Sequence, residues 1–380
     1  MDQNTPPPCG RLLYAAGDAS ANMLYASGLV TPDPFLWYSV PDETGLVLGP
    51  LEVGRAQKQA RSGLRILSLE QAAEAWGLPK GKRGPVDLVR GLAKATGVRH
   101  WQVPNEFPYG LAAQLRRSRM VLTPVKDFFP ERATKSADEV ELVREGVQLA
   151  EAGLYRAIGI LREATIQGDL VAWRGETLTA EILRGEVDAE IARQGGTASH
   201  TITAPGEQSA DCHMCGTGPI FANQPIVLDI FPRVDRTGYF GDLTRTVVKG
   251  KASPVVERAY AVVQEAQRKA TEAVKPGVLG KEVHQVAVDV IAGSEFPTDA
   301  KLVPPHGFFH GTGHGLGLEI HEAPRFSTIN DQPMVVGNVM TVEPGVYYPE
   351  WGGVRLEDVV VVCEGGCVNL TTAPFELEIR

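Results

Sequence analysis

His310-Gly-Thr-Gly-His-Gly-Leu-Gly-Leu-Glu-Ile-His321 decides how the rest of the chain is read. Glycine stands at 311, 313, 315 and 317, so an extended backbone here has one nearly bare face. His310, Thr312, His314, Leu316, Leu318 and Ile320 share the other. In a helix His310 and His314 would still share a face, being four apart, but each glycine costs a helix about 1 kcal/mol relative to alanine. Either way, two imidazoles are presented together where backbone or a ligand can come close. His321 has the opposite parity and needs a bulge or a turn to join them. An incidental glycine-rich turn accounts poorly for four of the eight histidines (306, 310, 314, 321) falling within sixteen residues.

Outward from that stretch, 380 residues are enough for two domains, each with a substantial core. A hydrophobic content of 43% is ordinary for a globular protein. The opening Met-Asp-Gln-Asn-Thr-Pro-Pro-Pro has no basic n-region and no apolar h-region, so no signal peptide is expected. No uncharged apolar run approaches the ~18 residues that span a bilayer, so no membrane partner is expected. Five cysteines, an odd count, read as reduced thiols in a cytoplasmic protein. A net charge of −9 argues against nucleic acid as the main partner.

The pattern predicts an α+β protein with a small α/β domain over residues 1–130 and a larger domain over 131–380. In the first, Leu36–Val40, Gly45–Leu48, Leu64–Leu69 and Met120–Leu122 are expected strands, with helices around Ala19–Ser27, Pro85–Thr96 and Phe107–Arg117. The proline-broken segment from Pro124 to Arg132 marks the boundary. Ser136-Ala-Asp-Glu139 is a capping box, and Val140, Val143, Val147, Ala150, Leu154, Ile158 and Leu161 repeat at helical spacing behind it. A second helix is expected over Glu176–Gln194, stopped by Gly195-Gly196. Ser253-Pro254 reads as an N-cap with proline at N1, opening a helix to Lys275, and another follows over Lys281–Ile291.

Two hairpins frame these helices. Pro225–Phe231 and Tyr239–Val248 flank a turn-rich Pro232–Gly238. In a symmetric register, residues whose numbers sum to 471 are opposed, which sets Asp229 against Asp242. The second hairpin, Val339–Pro344 with Val354–Val362, has opposed residues summing to 700, which sets Glu343 against Glu357. Like charges opposed on a sheet repel, by roughly 3 kcal/mol at ~5 Å and an effective dielectric of ~20. Each acid alone reads most simply as the partner of a surface base such as Arg245 or Arg355. Two facing pairs on apolar strands instead call for cations. Four carboxylates carry the charge of two divalent ions, and oxygen ligation with one imidazole favours Mn²⁺, Co²⁺ or Fe²⁺ over a thiolate-type zinc site. Two such ions can activate a hydroxide for hydrolysis. Two hairpins and two helix pairs suggest a pseudo-twofold domain, an antiparallel sheet backed by helices.

Leu228-Asp229, Gly238-Tyr239-x-x-Asp242-x-Thr-Arg245-Thr, His310-x-x-x-His314-Gly-Leu-Gly-Leu-x-x-His321-Glu, Thr341-Val-Glu343-Pro-Gly and Arg355-Leu-Glu357-Asp occur in that order. Together they resemble the dinuclear metallopeptidases that include aminopeptidase P, proline dipeptidase (prolidase) and methionine aminopeptidase, which share the pita-bread fold. A separate N-terminal domain is more similar to the proline-specific branch. The resemblance implies that Asp229, Asp242, His314, Glu343 and Glu357 ligate two divalent metal ions, Mn²⁺ first, with Co²⁺ or Zn²⁺ as other candidates. It implies that Asp242 and Glu357 bridge the ions, that Glu343 shuttles a proton, and that His321 hydrogen-bonds the oxyanion. His310 would line the pocket, His213 would face the substrate, and Arg355 would orient a carboxylate. Prolidases place an arginine between the second histidine and the Thr-Val-Glu-Pro-Gly strand; here Arg325 is the one basic residue in that interval. The implied function is an Xaa-Pro dipeptidase acting on short proline-containing peptides as a homodimer. Aminopeptidase P is the alternative, and a non-catalytic binding protein on the same fold is disfavoured by the full ligand set.

Two departures from the family pattern stand out. The two aspartates are thirteen rather than eleven apart, and Phe231 replaces the usual glycine. Cys212-His-Met-Cys215 surrounds His213, with Cys363 and Cys367 as the later counterpart. Free thiols are expected there rather than a Cys₄ zinc.

Overall fold

The computed structural model describes residues 9–198 and 200–380; the segment 1–8, read above for a signal sequence, lies outside the described residues. The chain divides into two compact units, Met1–Pro130 and Glu131–Arg380.

The first unit is built on a six-stranded sheet in the order Arg65–Ser68, Glu43–Leu48, Phe35–Val40, Cys9–Ala15, His100–Pro104, Val121–Val125. Alternation along these strands serves two cores. Leu12, Leu36, Tyr38 and Val47 enter one apolar cluster, while Leu13, Phe35, Trp37, Leu46 and Leu48 enter the other, as a period of two requires. Sequence patterning predicts four of the six strands and omits Cys9–Ala15 and His100–Pro104, which pair as the fourth and fifth strands of that order. It also omits the short helices Val53–Gln59 and Leu69–Ala75. The expected helix Pro85–Thr96 is present over those residues, with Pro85 in its first turn and Gly97 closing it at φ 76°.

In the second unit the Ser136–Glu139 capping box forms in both directions and opens a 27-residue helix, Ala137–Glu163. The next helix, Ala180–Arg193, starts four residues later than its sequence suggests. Glu176–Thr177 instead pair into a three-stranded sheet with Thr165–Gln167 and Leu170–Trp173, and the Thr179 hydroxyl caps the helix. These two helices share a core with Ile226, Leu228 and Val247 of a four-stranded sheet ordered Ile202–Pro205, Pro225–Asp229, Thr244–Lys249, Glu378–Ile379. The second helix pair, Pro254–Ala273 and Gly280–Ala292, shares a core with Met340, Val342 and Val360. Those strands belong to a five-stranded sheet ordered Glu322–Phe326, Gly313–Gly315, Val339–Val342, Asp358–Cys363, Gly366–Asn369. Each helix pair thus covers one half of the sheet structure. Ser253 precedes its helix in extended conformation but makes no side-chain cap, so Pro254 alone carries that boundary.

The two halves meet along hydrogen bonds from Glu357 N to Thr244 O (3.0 Å) and from the Thr246 hydroxyl to Arg355 O (3.0 Å). The segment carrying Asp242, just ahead of the strand Thr244–Lys249, is pressed onto the long helix at a glycine pair. A Cβ on Gly146 would sit 2.5 Å from the Phe240 carbonyl carbon, and a Cβ on Gly241 would overlap the Gly146 backbone. Among the described residues no helix is long and apolar enough to cross a membrane.

Candidate active site

The two hairpins behave differently. In the first, Asp229 is opposite Thr244 and every pair sums to 473 rather than 471. The turn makes its own ladder, Gly196–Thr197 with Arg233–Val234, and this shifts the strands by two residues. A slip of two keeps parity, so Asp229 and Asp242 stay on one face as diagonal neighbours rather than opposed ones. In the second, the register summing to 700 holds for Val339–Val342 against Asp358–Val361 and for Gly345–Tyr348 against Gly352–Arg355. Glu343 and Glu357 occupy the interruption between those two ladders.

Of the glycine-rich stretch, Gly313–Gly315 is strand, shorter than the extended run expected. A register shift between His314 and Gly315 and the turn that follows bring His321 round. Its ring lies edge-on to His314 with centroids 4.4 Å apart. Ligand atoms of Asp242, His314 and Glu357, all buried, lie within 4.8 Å of one another. The His314 Nε2 is 3.3 Å from Glu343 Oε1 and 3.7 Å from Asp242 Oδ2. Asp229 lines the same cavity, its Oδ2 accepting from Arg355 Nη2 at 2.6 Å. The Thr244 hydroxyl donates to Glu357 at 2.7 Å.

Electrostatics describe a box short of positive charge. Burial first, then the charges of Asp229 and Glu343, pushes the Asp242 carboxyl well above its ordinary range. Burial with Asp242 and Glu343 does the same to Glu357, and burial with Asp229 lifts Glu343 to about 7 against the opposing pull of Arg355. Burial drops His314 to about 3, helped by His321, and His310 to about 4, helped by Arg355. Acids that resist losing protons and imidazoles that resist gaining them together form a site for a cation. This donor set of carboxylates with one neutral imidazole fits hard or borderline divalent metals.

All ten residues singled out in the sequence line one cavity of about 1250 Å³. His213 is exposed on a turn closed by its own N–H donating to Asp211 Oδ1. Arg325 faces His314 across the ladder and is exposed. Phe231 also lines the wall. Sequence reading misses Tyr347, a buried residue whose hydroxyl bridges His310 Nε2 (2.9 Å) and Arg355 Nη1 (3.1 Å). Its alternation with Glu343 and Gly345 was the available signal. Cys212 and Cys215 line the cavity, all five cysteines are free, and among the described residues no cluster of three ligand side chains includes a cysteine.

Residues 141–364 match the signature of metallopeptidase family M24. The chain is an M24 metallopeptidase. Membership implies divalent metal at the carboxylate cluster. Over 318 residues this peptidase is 33% identical to the Xaa-Pro dipeptidase of Pyrococcus furiosus, spanning 82% of this chain and 84% of that one. Its structure is similar to an Xaa-Pro dipeptidase from Bacillus anthracis, with TM-score 0.83, 25% identity, and coverage of 98% and 95% of the two chains. It has the same fold as an X-Pro aminopeptidase from Thermotoga maritima, with TM-score 0.81, 23% identity and 98% of each chain covered. The pita-bread fold of the family is therefore this chain's fold.

Proposed function

We propose that this M24 metallopeptidase is an Xaa-Pro dipeptidase, hydrolysing the imide bond before proline in short peptides. The observation that carries the reading is the place of Arg325, opposite His314 in the ladder and on the wall of the cavity that holds the acids. A guanidinium there can take both oxygens of a free prolyl carboxylate, which leaves the imide bond beside the carboxylate cluster. Similarity to proteins named Xaa-Pro dipeptidase supports the same substrate class.

In this reading Asp229, Asp242, His314, Glu343 and Glu357 hold two divalent ions, with Mn²⁺ favoured by the oxygen-rich set and Co²⁺ or Zn²⁺ as alternatives. What the ions supply is Lewis acidity and a nucleophilic water. Glu343 takes the proton from the attacking water on its carboxylate and delivers it to the proline nitrogen. His321 donates to the carbonyl oxygen as negative charge develops. His310 and His213 shape the pocket around the substrate. Arg355 fixes Asp229, and Tyr347 ties Arg355 to His310. The reading includes a cytoplasmic homodimer; free thiols support the compartment, and the dimer is carried over from the family resemblance.

A second reading, aminopeptidase P, is favoured by the size of the cavity, about 1250 Å³, which has room for a longer peptide. Metal analysis with turnover of Ala-Pro and Ala-Pro-Ala separates them. The dipeptidase cleaves Ala-Pro faster; faster cleavage of Ala-Pro-Ala selects aminopeptidase P.

A further inference from the structure

Glu322 follows His321 directly, but its side chain serves the back of the site rather than the cavity. The carboxylate is buried. Its Oε1 accepts the backbone N–H groups of Leu318 (3.0 Å) and Glu319 (3.1 Å), and its Oε2 accepts from Lys135 Nζ at 2.9 Å. Arg132 donates to Glu322 Oε1 and, at 2.7 Å, to Glu319 Oε2. The Lys135 and Glu322 side chains are only 3% and 5% exposed. Two bases therefore meet two acids; Glu322 is the buried acid, while Glu319 reaches Arg132 from the surface.

The backbone is shaped to this carboxylate. A Cβ on Gly317 would lie 2.8 Å from Glu322 Oε2 and 3.0 Å from Lys135 Cε, so any side chain here would push the ends of that ion pair aside. On its other side, Gly317 O accepts from Phe240 N at 2.8 Å, which ties the turn to the segment leading into Asp242. The six residues Leu316–His321 are thus wound around one acid, and this turn is what corrects the wrong parity of His321.

We propose that Glu322 is a positioning residue for His321. With Lys135 and Arg132 it forms an ionic clamp that holds the turn so that the imidazole stays edge-on to His314. The inference rests on the proposed role of His321 as donor to the developing oxyanion. The Leu318 amide is buried and the Glu319 amide partly so, and a carboxylate supplies charge-assisted bonds to both. Lys135 and Arg132 make that carboxylate tolerable away from water.

The test is a pair of backgrounds. Glu322→Gln keeps the shape and loses the charge; kcat for Ala-Pro should fall by roughly tenfold or more, with KM and bound metal near wild type. Hydrogen exchange at the Leu318 and Glu319 amides should quicken. In a His321→Ala background the same change should lower kcat by less than about twofold, because the group it positions is gone. Equal fold losses in the two backgrounds overturn the inference, as does unchanged exchange at the two amides. If Glu322→Gln does not fold, Arg132→Ala leaves Lys135 to neutralise the acid and carries the same test with a smaller loss. A wild-type enzyme without Xaa-Pro turnover would overturn the proposed function instead, and the exchange measurement would still decide whether the clamp exists.

Discussion

Glu357 and Asp358 are chain neighbours, both buried, and the fold treats them in opposite ways. Asp358 accepts from Arg245 Nη2 (2.8 Å), Gln267 Nε2 (3.1 Å) and Asn369 Nδ2 (2.8 Å). Glu357 accepts from one hydroxyl, Thr244, and otherwise faces the negative charges of Asp242, Glu343 and Asp229. The cations differ in exposure instead. Arg245 makes five hydrogen bonds, including those to the carbonyls of Thr244, Glu357, Ala373 and Pro374. Arg325 is exposed on the cavity wall. A charged group removed from water either meets partners that the fold supplies or carries a deficit that something outside the chain must fill. The first kind maintains structure and the second carries chemistry.

The sharpest test is to remove one deficient acid. Asp242→Asn or Glu357→Ala should abolish metal binding and lower kcat by more than about a hundredfold, the upper end for merely supporting residues. Full turnover in chelator-treated, metal-free enzyme would break the comparison outright. Glu343→Gln keeps an acceptor oxygen but cannot carry the proton. Its kcat should fall by roughly 10²–10⁴ while metal content, read by elemental analysis, falls far less; matched losses would reduce Glu343 to a ligand. Asp358→Ala takes the satisfied acid and leaves Arg245 buried without its counter-ion. Urea unfolding should show a loss of about 3–5 kcal/mol, with kcat per folded, metal-loaded molecule close to wild type. A metal-site defect in a fully stable Asp358→Ala protein would erase the distinction between the neighbours. The smallest effect is expected at Arg325→Ala: KM for Ala-Pro should rise by the equivalent of roughly 2–4 kcal/mol, with little change for Ala-Pro-Ala. Equal change on both substrates would make Arg325 a surface residue.

Legibility in the sequence followed the range of the interactions. The capping box at Ser136 and the second hairpin's register depend on residues close in sequence, and each could be read there, whereas the extended run expected over His310–Gly317 formed only at Gly313–Gly315. The first hairpin's register depended on Gly196–Thr197 joining the turn at Arg233–Val234, a pairing that no pattern within the hairpin discloses. The two adjacent interior strands of the first unit, Cys9–Ala15 and His100–Pro104, were missed for a related reason. Cys9–Ala15 contains Gly10 and follows a proline run, and it is a strand because Leu12 and Leu13 bury against opposite faces of the sheet. The basic partners of Glu322 lie 187 and 190 residues away, so the acid beside His321 gave no sign of its role. Parity survived where pairing did not: a two-residue slip moved Asp242 along the ladder but kept it facing the cavity.

The glycine pair at 146 and 241 sets a trap for anyone seeking a hardier protein. Gly146 lies inside a 27-residue helix, where alanine gains up to about 1 kcal/mol in intrinsic propensity, so a scan for stabilising substitutions would choose it early. The added methyl would drive into the backbone at Phe240 and Gly241, immediately ahead of Asp242. A change made for the helix would arrive as displacement of a carboxylate on the far side of that contact. Heat tolerance and turnover are therefore coupled at this position through the thickness of one hydrogen atom.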